Sequence, residues 1–166
     1  TFLLLSDIAL LKSTKATWTP GIFLSAFFLT YFVFDYLTFE EVHLYTYDFF
    51  AERVGFKLGW GCLVFYPYFY SIALWSSAGS ANPGTSTGML LVAGLVFFSG
   101  WSLARGANMQ KFYFKTQPDK VFLGIKPKTV TNGKHTLLVN GFWGLSRHIN
   151  YLGEIFMGCG IALAVG

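Results

Sequence analysis

Residues 137–154 place an arginine, a histidine, an asparagine, a tyrosine and a glutamate inside a glycine-spaced stretch that is otherwise apolar. Such groups are costly in lipid, so a stretch of this kind has to line a cavity or meet a polar partner. If residues 143–154 form one helix, five side chains share one face because their spacing is i, i+4, i+7, i+8 and i+11. These are Trp143, Arg147, Asn150, Tyr151 and Glu154. The pattern predicts a polar stripe that faces the interior of a helix bundle.

The composition indicates a membrane protein, because 54% of the residues are hydrophobic, 20% are aromatic and only 12% are charged. Those values are atypical of a soluble globular core. The predicted fold class is therefore all-α, a polytopic transmembrane helix bundle with four to five visible spans. The apolar segments are residues 1–11, 21–37, 58–75, 88–104 and the run that ends at residue 166. Because the chain starts with Thr1 and ends inside an apolar run, we interpret it as a fragment.

The segment 58–75 contains Pro67 near its centre, with Tyr66, Tyr68 and Tyr70 around it. A proline there bends a helix and leaves a backbone carbonyl without its helical partner. We therefore expect this segment to form a cavity wall.

Cys62 and Cys159 both lie in apolar segments and lack metal-ligand spacing. They are predicted to be buried free thiols, without a disulfide. His148 has no partner ligands in sequence, so no metal site is expected.

Residues 105–135 carry seven basic residues against Asp119, a net charge of +6. The positive-inside rule places this segment on the cytosolic side. Its position between membrane spans argues against nucleic acid as a partner. Within it, Lys111 and Lys115 share a helix face without a compensating acid, which favours an anionic ligand. No glycine-rich dinucleotide fingerprint follows a strand, so a Rossmann domain is excluded.

Residues 137–154 strongly resemble the motif of the membrane sterol reductases, the family of Δ14-, Δ7- and Δ24(24¹)-sterol reductases and the lamin B receptor. The matching residues are Leu137, Leu138, Gly141, Phe142, Trp143, Gly144, Arg147, His148, Asn150, Tyr151 and Gly153. Asn140 stands where the family usually has serine, and Glu154 where it has aspartate. The segment 108–115 resembles the family pattern Asn-X-Gln-Lys-X-X-Phe-Arg, with Lys115 in place of the arginine.

The resemblance extends upstream and covers about residues 30–166. Further matches are Asp35, Glu40, Thr46, Asp48, Gly55, Phe56, Leu58, Trp60, Gly61, Pro67 and Tyr70. The chain departs from the family pattern at Phe39, Cys62 and Ala73.

The resemblance implies NADPH-dependent reduction of a sterol carbon–carbon double bond in a multi-pass protein of the endoplasmic reticulum membrane. NADPH would lie between transmembrane helices and a cytosolic loop. Its implied ligands are Lys111, Lys115, Leu138, Trp143, Asn150 and Tyr151. The chain would then be a partial sterol reductase domain, residues 1–166, with a cofactor segment 105–158 and the C-terminal helices missing. The implied partners are a sterol and membrane lipid; the oligomeric state is not predicted.

Reduction of an isolated double bond requires a hydride at one carbon and a proton at the other. NADPH would supply the hydride. Glu154 is one candidate proton donor, and Tyr151 or a tyrosine of the segment 58–75 is the other. A competing interpretation makes Arg147 and Glu154 an intramembrane ion pair that only fixes helix packing.

The favoured reaction is Δ14 reduction, with Δ7 and Δ24(24¹) reduction as alternatives. A second class is a receptor or scaffold that keeps the fold without turnover. A third is an isoprenylcysteine-type methyltransferase that binds S-adenosylmethionine. The pair Lys111 and Lys115 argues against that third class, because it suits phosphate groups.

Overall fold

The structure is a computed structural model that describes residues 9, 19–46, 55–65, 72, 84–133 and 135–166. This part of the chain is mostly helical. Its elements are α1 (Pro20–Thr38), α2 (Glu40–His43), α3 (Phe56–Trp60), a π-helix (Gly61–Phe65), α4 (Thr87–Thr116), β1 (Thr129–Asn132), β2 (His135–Leu138), α5 (Phe142–Leu145) and α6 (Ile149–Val165).

Helix α1 confirms the apolar segment predicted at 21–37. The Thr19 hydroxyl caps its first turn by accepting from the Ile22 backbone N–H, and Pro20 occupies a position where no N–H is needed. Inside the helix, the hydroxyls of Thr30 and Thr38 donate to carbonyls four residues back. These bonds satisfy polar groups that lipid cannot satisfy.

Helix α4 begins at a Ser86 cap and runs for 30 residues, well past the predicted end at residue 104. At 1.5 Å per residue it is about 45 Å long, more than a hydrocarbon core of about 30 Å. The helix is therefore longer than a single crossing of a bilayer requires. Within the described residues, α1 and α4 are long and apolar enough to cross a membrane, and α6 is a shorter apolar helix.

Helices α4 and α6 pack at close range through small residues. A Cβ atom added at Gly153 would lie 2.5 Å from the Gly100 carbonyl oxygen and from the Ala104 backbone nitrogen. Helix α1 joins this pair through aromatic stacking, because the rings of Phe28 and Phe97 are parallel with centroids 4.1 Å apart. Small residues at such contacts let helix backbones approach closely, as is usual in membranes.

The prediction of an all-α fold is wrong at residues 129–138, where β1 and β2 form an antiparallel hairpin. Asn132 pairs with His135 across the turn, and Gly133 has a φ of +57°, in the left-handed region that glycine tolerates. The β-branched residues of β1 suit an extended, solvent-facing strand.

The prediction of one continuous helix over residues 143–154 is also wrong. Helix α5 ends at Leu145, Ser146 is extended, and α6 begins at Ile149. Trp143 and Arg147 therefore do not belong to the polar face of α6, and Arg147 is exposed.

Cys159 is free but exposed, so its predicted burial is wrong. It lies on a face of α6 that no described element covers. The Cys62 side chain, the residues around Pro67 and nearly all of the segment 1–11 lie outside the described residues.

Candidate functional site

The C-terminal part of α4 meets α5 at a contact between Lys111 and Trp143. The indole Nε1 of Trp143 donates to the Ala107 carbonyl at 2.9 Å, which fixes the ring against α4. The Lys111 ammonium lies 5.4 Å from the centre of that ring. An ammonium over an indole face is a favourable cation–π arrangement. The structure thus brings together two residues that the sequence assigned to one cofactor site.

Gln110 holds the loop before α5 from inside the protein, with only 3% of its surface exposed. Its amide nitrogen donates to the Asn140 carbonyl at 3.1 Å, and its amide oxygen accepts from the Phe142 backbone N–H at 3.0 Å. Between them, Gly141 has a φ of +64°, and a Cβ atom there would collide with the Gln110 amide. Gln110 therefore fixes the position of the chain that leads into Trp143.

The Asn140 side chain ties the same loop to the basic segment before the hairpin. Its oxygen accepts from the Lys128 backbone N–H at 2.9 Å, and its nitrogen donates to the Lys126 carbonyl at 2.8 Å. A serine, which the family usually has at this position, offers only one side-chain oxygen in place of the amide's separate donor and acceptor. Asn140 thus makes two contacts that hold Lys126 and Lys128 next to the Trp143 loop.

A second polar cluster lies deeper along α4, where Arg105 pairs with Asp35 of α1. Both side chains are 11% exposed. The same guanidinium also donates to the Asp35 carbonyl at 3.3 Å and lies 4.6 Å from the centre of the Phe39 ring. Each charge is thereby compensated at the junction of α1 and α2.

A small cleft opens beside this ion pair, with an internal volume of about 10 Å³, which is room for one water molecule. Its lining residues are Phe32, Asp35, Tyr36, His43, Trp101, Ala104, Arg105, Asn108, Glu154 and Met157. Most of the wall is apolar, and the polar groups gather near Arg105.

Four buried nitrogens around the cleft have no hydrogen-bond partner among the described residues: Trp101 Nε1, His43 Nε2, and Nε and Nη1 of Arg105. Burial, together with the positive charge of Arg105, lowers the pKa of His43 to about 4. The imidazole is therefore neutral at pH 7, and it stacks on Tyr36 with centroids 3.8 Å apart.

The remaining predicted site residues lie near the end of α4, at the end of β2 and in the first turns of α6. Lys115 is exposed near the end of α4, and Leu138 ends β2. At the start of α6, Asn150 is half-buried, whereas Tyr151 is 45% exposed and stacks on His148. Glu154 lines the cleft beside Arg105.

The sequence did not predict that Gln110 is buried and fixes the loop before α5 by hydrogen bonds. It also did not predict that Arg105 forms an ion pair with Asp35. The signal for the pair was available. Asp35 and Arg105 are charges of opposite sign, each near the end of one of the apolar segments 21–37 and 88–104. Lone charges of this kind usually pair with one another.

The whole chain, residues 1–166, matches the model of the family described as "Ergosterol biosynthesis ERG4/ERG24 family". The chain belongs to this family. The predicted resemblance to the membrane sterol reductases is thereby confirmed, and the membrane association suggested by the apolar helices agrees with it.

Several curated ERG4/ERG24 relatives are named Delta(14)-sterol reductase. The protein from Arabidopsis thaliana is 36% identical over 99% of this chain and 44% of its own length. One from Methylotuvimicrobium alcaliphilum is 31% identical over 85% of this chain and 33% of its own. The protein erg24A of Aspergillus fumigatus is 36% identical over 98% of this chain and 32% of its own. The chain therefore spans less than half the length of these relatives.

Proposed function

We propose that this chain is part of an oxidoreductase that reduces the Δ14 double bond of a sterol with NADPH. The names of its relatives support the reaction. The contact between Lys111 and Trp143 supports the cofactor, because it joins a cation to an aromatic face at the cytosolic end of α4. The whole protein would be a multi-pass protein of the endoplasmic reticulum membrane, with four to five spans in this part of it.

The residues at this end of α4 fit the chemistry of NADPH. Lys111 is half-buried, and no described carboxylate pairs with it. With Lys115 one turn further on, α4 presents two ammonium groups suited to phosphate oxygens. Trp143 offers a flat apolar surface for a ring, and Asn150 offers both a donor and an acceptor. Leu138 and Tyr151 complete the proposed set of cofactor ligands, which lies within the segment 105–158.

NADPH, when bound, supplies a hydride, and the protein has to supply a proton to the other carbon of the double bond. The two candidate donors, Tyr151 and Glu154, lie one turn apart on α6. Their surroundings differ, because Tyr151 stacks on His148 at the start of α6, whereas Glu154 faces the Arg105 cleft. Loss of reduction in Tyr151→Phe, with NADPH binding kept, would assign the proton to Tyr151.

The direct test is an assay of the full-length protein in microsomes. NADPH is supplied with Δ14, Δ7 and Δ24(24¹) sterols separately, and each product is followed by mass. We expect conversion of the Δ14 sterol. Conversion of another sterol alone would move the assignment to that bond, and NADPH binding without any conversion would favour a scaffold.

Replacing Lys111 by methionine should weaken NADPH binding by about 10- to 100-fold, because a charge-assisted contact to phosphate contributes roughly 1.5–3 kcal/mol. The measurement is calorimetric titration of the purified full-length protein. Lys120→Met is the matched control, because it removes an exposed lysine of the same basic segment that Asn140 does not hold beside the Trp143 loop. Equal affinities of both variants for NADPH would contradict the proposed cofactor site.

Replacing Gln110 by methionine should weaken NADPH binding about tenfold, although Gln110 is not proposed to touch the cofactor. The change leaves the Asn140 carbonyl and the Phe142 N–H without their partner, so the loop before Trp143 loses its fixed position. Gln117→Met makes the same change at an exposed site just after α4 and should bind NADPH normally. If Gln110→Met binds NADPH with unchanged affinity, the hydrogen bonds of Gln110 do not position the cofactor ligands.

A further inference from the structure

The cleft between α1, α4 and α6 has the size of a single water molecule. Its internal volume of about 10 Å³ is close to the roughly 10–15 Å³ that one water needs, and it is too small for a second. A buried water also needs two to four polar partners, because an apolar cavity of this kind stays dry. The polar groups on the wall therefore decide whether water binds there.

Two side chains of α4 that line the cleft carry buried donors. Trp101 Nε1 and the Nε and Nη1 atoms of Arg105 have no hydrogen-bond partner among the described residues. The contacts of Arg105 with Asp35 use Nη2 alone, so they leave the other two nitrogens without an acceptor. Buried donors in this state are costly, and an acceptor placed in the cleft would stabilise the protein.

Two other elements bring acceptors to the same cleft. The Glu154 carboxyl group of α6 is half-buried in an apolar helix, yet it accepts no hydrogen bond from a described residue. On α2, His43 Nε2 is buried without a partner in the same part of the chain. Because His43 is neutral at pH 7, its Nε2 accepts a hydrogen bond in the tautomer that carries the proton on Nδ1.

A water molecule matches this set of groups. It is able to accept from Trp101 and Arg105 and to donate to Glu154 and His43, so that each group gains a partner. The small volume excludes a larger ligand. The indole and guanidinium N–H groups exclude a metal cation, because neither of them is a metal ligand in proteins.

We propose that one ordered water molecule binds in this cleft and joins Glu154 of α6 to Trp101 and Arg105 of α4. The water extends the ion pair of Arg105 and Asp35 to a third helix, so that α1, α4 and α6 share one polar network. Its remaining hydrogen bond holds His43 of α2 against the same helices. This inference does not depend on the reaction that the protein catalyses.

The first test is a density map of the full-length protein in lipid nanodiscs, at a resolution that shows ordered waters. We expect one peak at about 2.7–3.2 Å from both Trp101 Nε1 and a Glu154 carboxyl oxygen. An empty cleft would overturn the proposal. A direct hydrogen bond between Trp101 and Glu154, with no density between them, would overturn it as well.

The second test is a double-mutant cycle with Trp101→Phe and Glu154→Leu, measured by unfolding of the full-length protein with SDS in mixed micelles. Phenylalanine removes the indole N–H and keeps an aromatic ring beside Tyr31, whose ring centre lies 5.7 Å from that of Trp101. Both changes remove a partner of the same water. We therefore expect the unfolding equilibrium constant of the double variant to be about fivefold or more below the product of the single effects.

Trp143→Phe combined with Glu154→Leu is the matched control for this cycle. The Trp143 indole N–H bonds to the Ala107 carbonyl, and Trp143 does not line the cleft. These two effects should multiply to within about twofold. Simple multiplication of the Trp101→Phe and Glu154→Leu effects would overturn the water bridge. If Glu154→Leu fails to fold, the density map of the wild type decides between the same two outcomes.

Discussion

Arg105→Met should lower the free energy of unfolding by about 3–5 kcal/mol, because it leaves the buried Asp35 carboxylate without its counter-charge. Both side chains are only 11% exposed, so water compensates little of the loss. Asp35→Asn should have an effect of similar size, because it leaves the buried Arg105 guanidinium without its counter-charge. The measurement is unfolding of the full-length protein by SDS in mixed micelles, followed by far-UV circular dichroism.

The double variant Asp35→Asn/Arg105→Met separates the ion pair from other effects of these substitutions. It should be less destabilised than the sum of the single variants, since neither charge remains unpaired. Glu41→Gln, which neutralises an exposed charge on α2, should change the free energy by less than about 0.5 kcal/mol. Strict additivity of the two single changes would show that the pair does not couple α1 to α4.

Gly153→Leu should destabilise the protein by about 3 kcal/mol or more, because it forces α4 and α6 apart. The new Cβ atom would lie 2.5 Å from the Gly100 carbonyl oxygen and the Ala104 nitrogen, and both are backbone atoms that cannot rotate away. Overpacking a well-packed contact usually costs about 1–3 kcal/mol, and displacement of a helix backbone adds to that. The same SDS unfolding experiment measures the loss.

Gly158→Leu is the matched control for this contact, because it makes the same change on the same helix. A Cβ atom at Gly158 has no atom within 4 Å, and the position is exposed. We expect a change in unfolding free energy within about 0.5 kcal/mol, or slight stabilisation from the higher helix propensity of leucine. Comparable destabilisation by both variants would mean that the α4–α6 contact is not tight.

The apolar helices were predictable because each is specified by local sequence. Thr19 and Pro20 mark the start of α1, and the apolar run that follows ends near Asp35. The pairing of Lys111 with Trp143 was also predictable, through the family motifs that contain them. The two side chains are in contact in the structure, and their role in cofactor binding stays a prediction.

Other features depend on contacts between residues far apart in sequence. The break between α5 and α6 was missed, since residues 143–154 have a helical spacing of polar groups throughout. In the structure, Trp143 bonds to Ala107 of α4, and the chain turns before α6 begins. The exposure of Cys159 was missed as well, because an apolar segment gives no sign of which face another helix covers.

By itself the sequence determined that the chain is a membrane protein with apolar helices and a basic segment, and its motifs determined the family. Hydrophobic length, charge bias and residue order are local properties, so they can be read along one chain. Only the tertiary structure decided that Asp35 meets Arg105 and that Gln110 holds the loop of Trp143. It also turned Glu154 towards the Arg105 cleft. Those positions are set by the close packing of α1, α4 and α6, which depends on three-dimensional fit between separate segments.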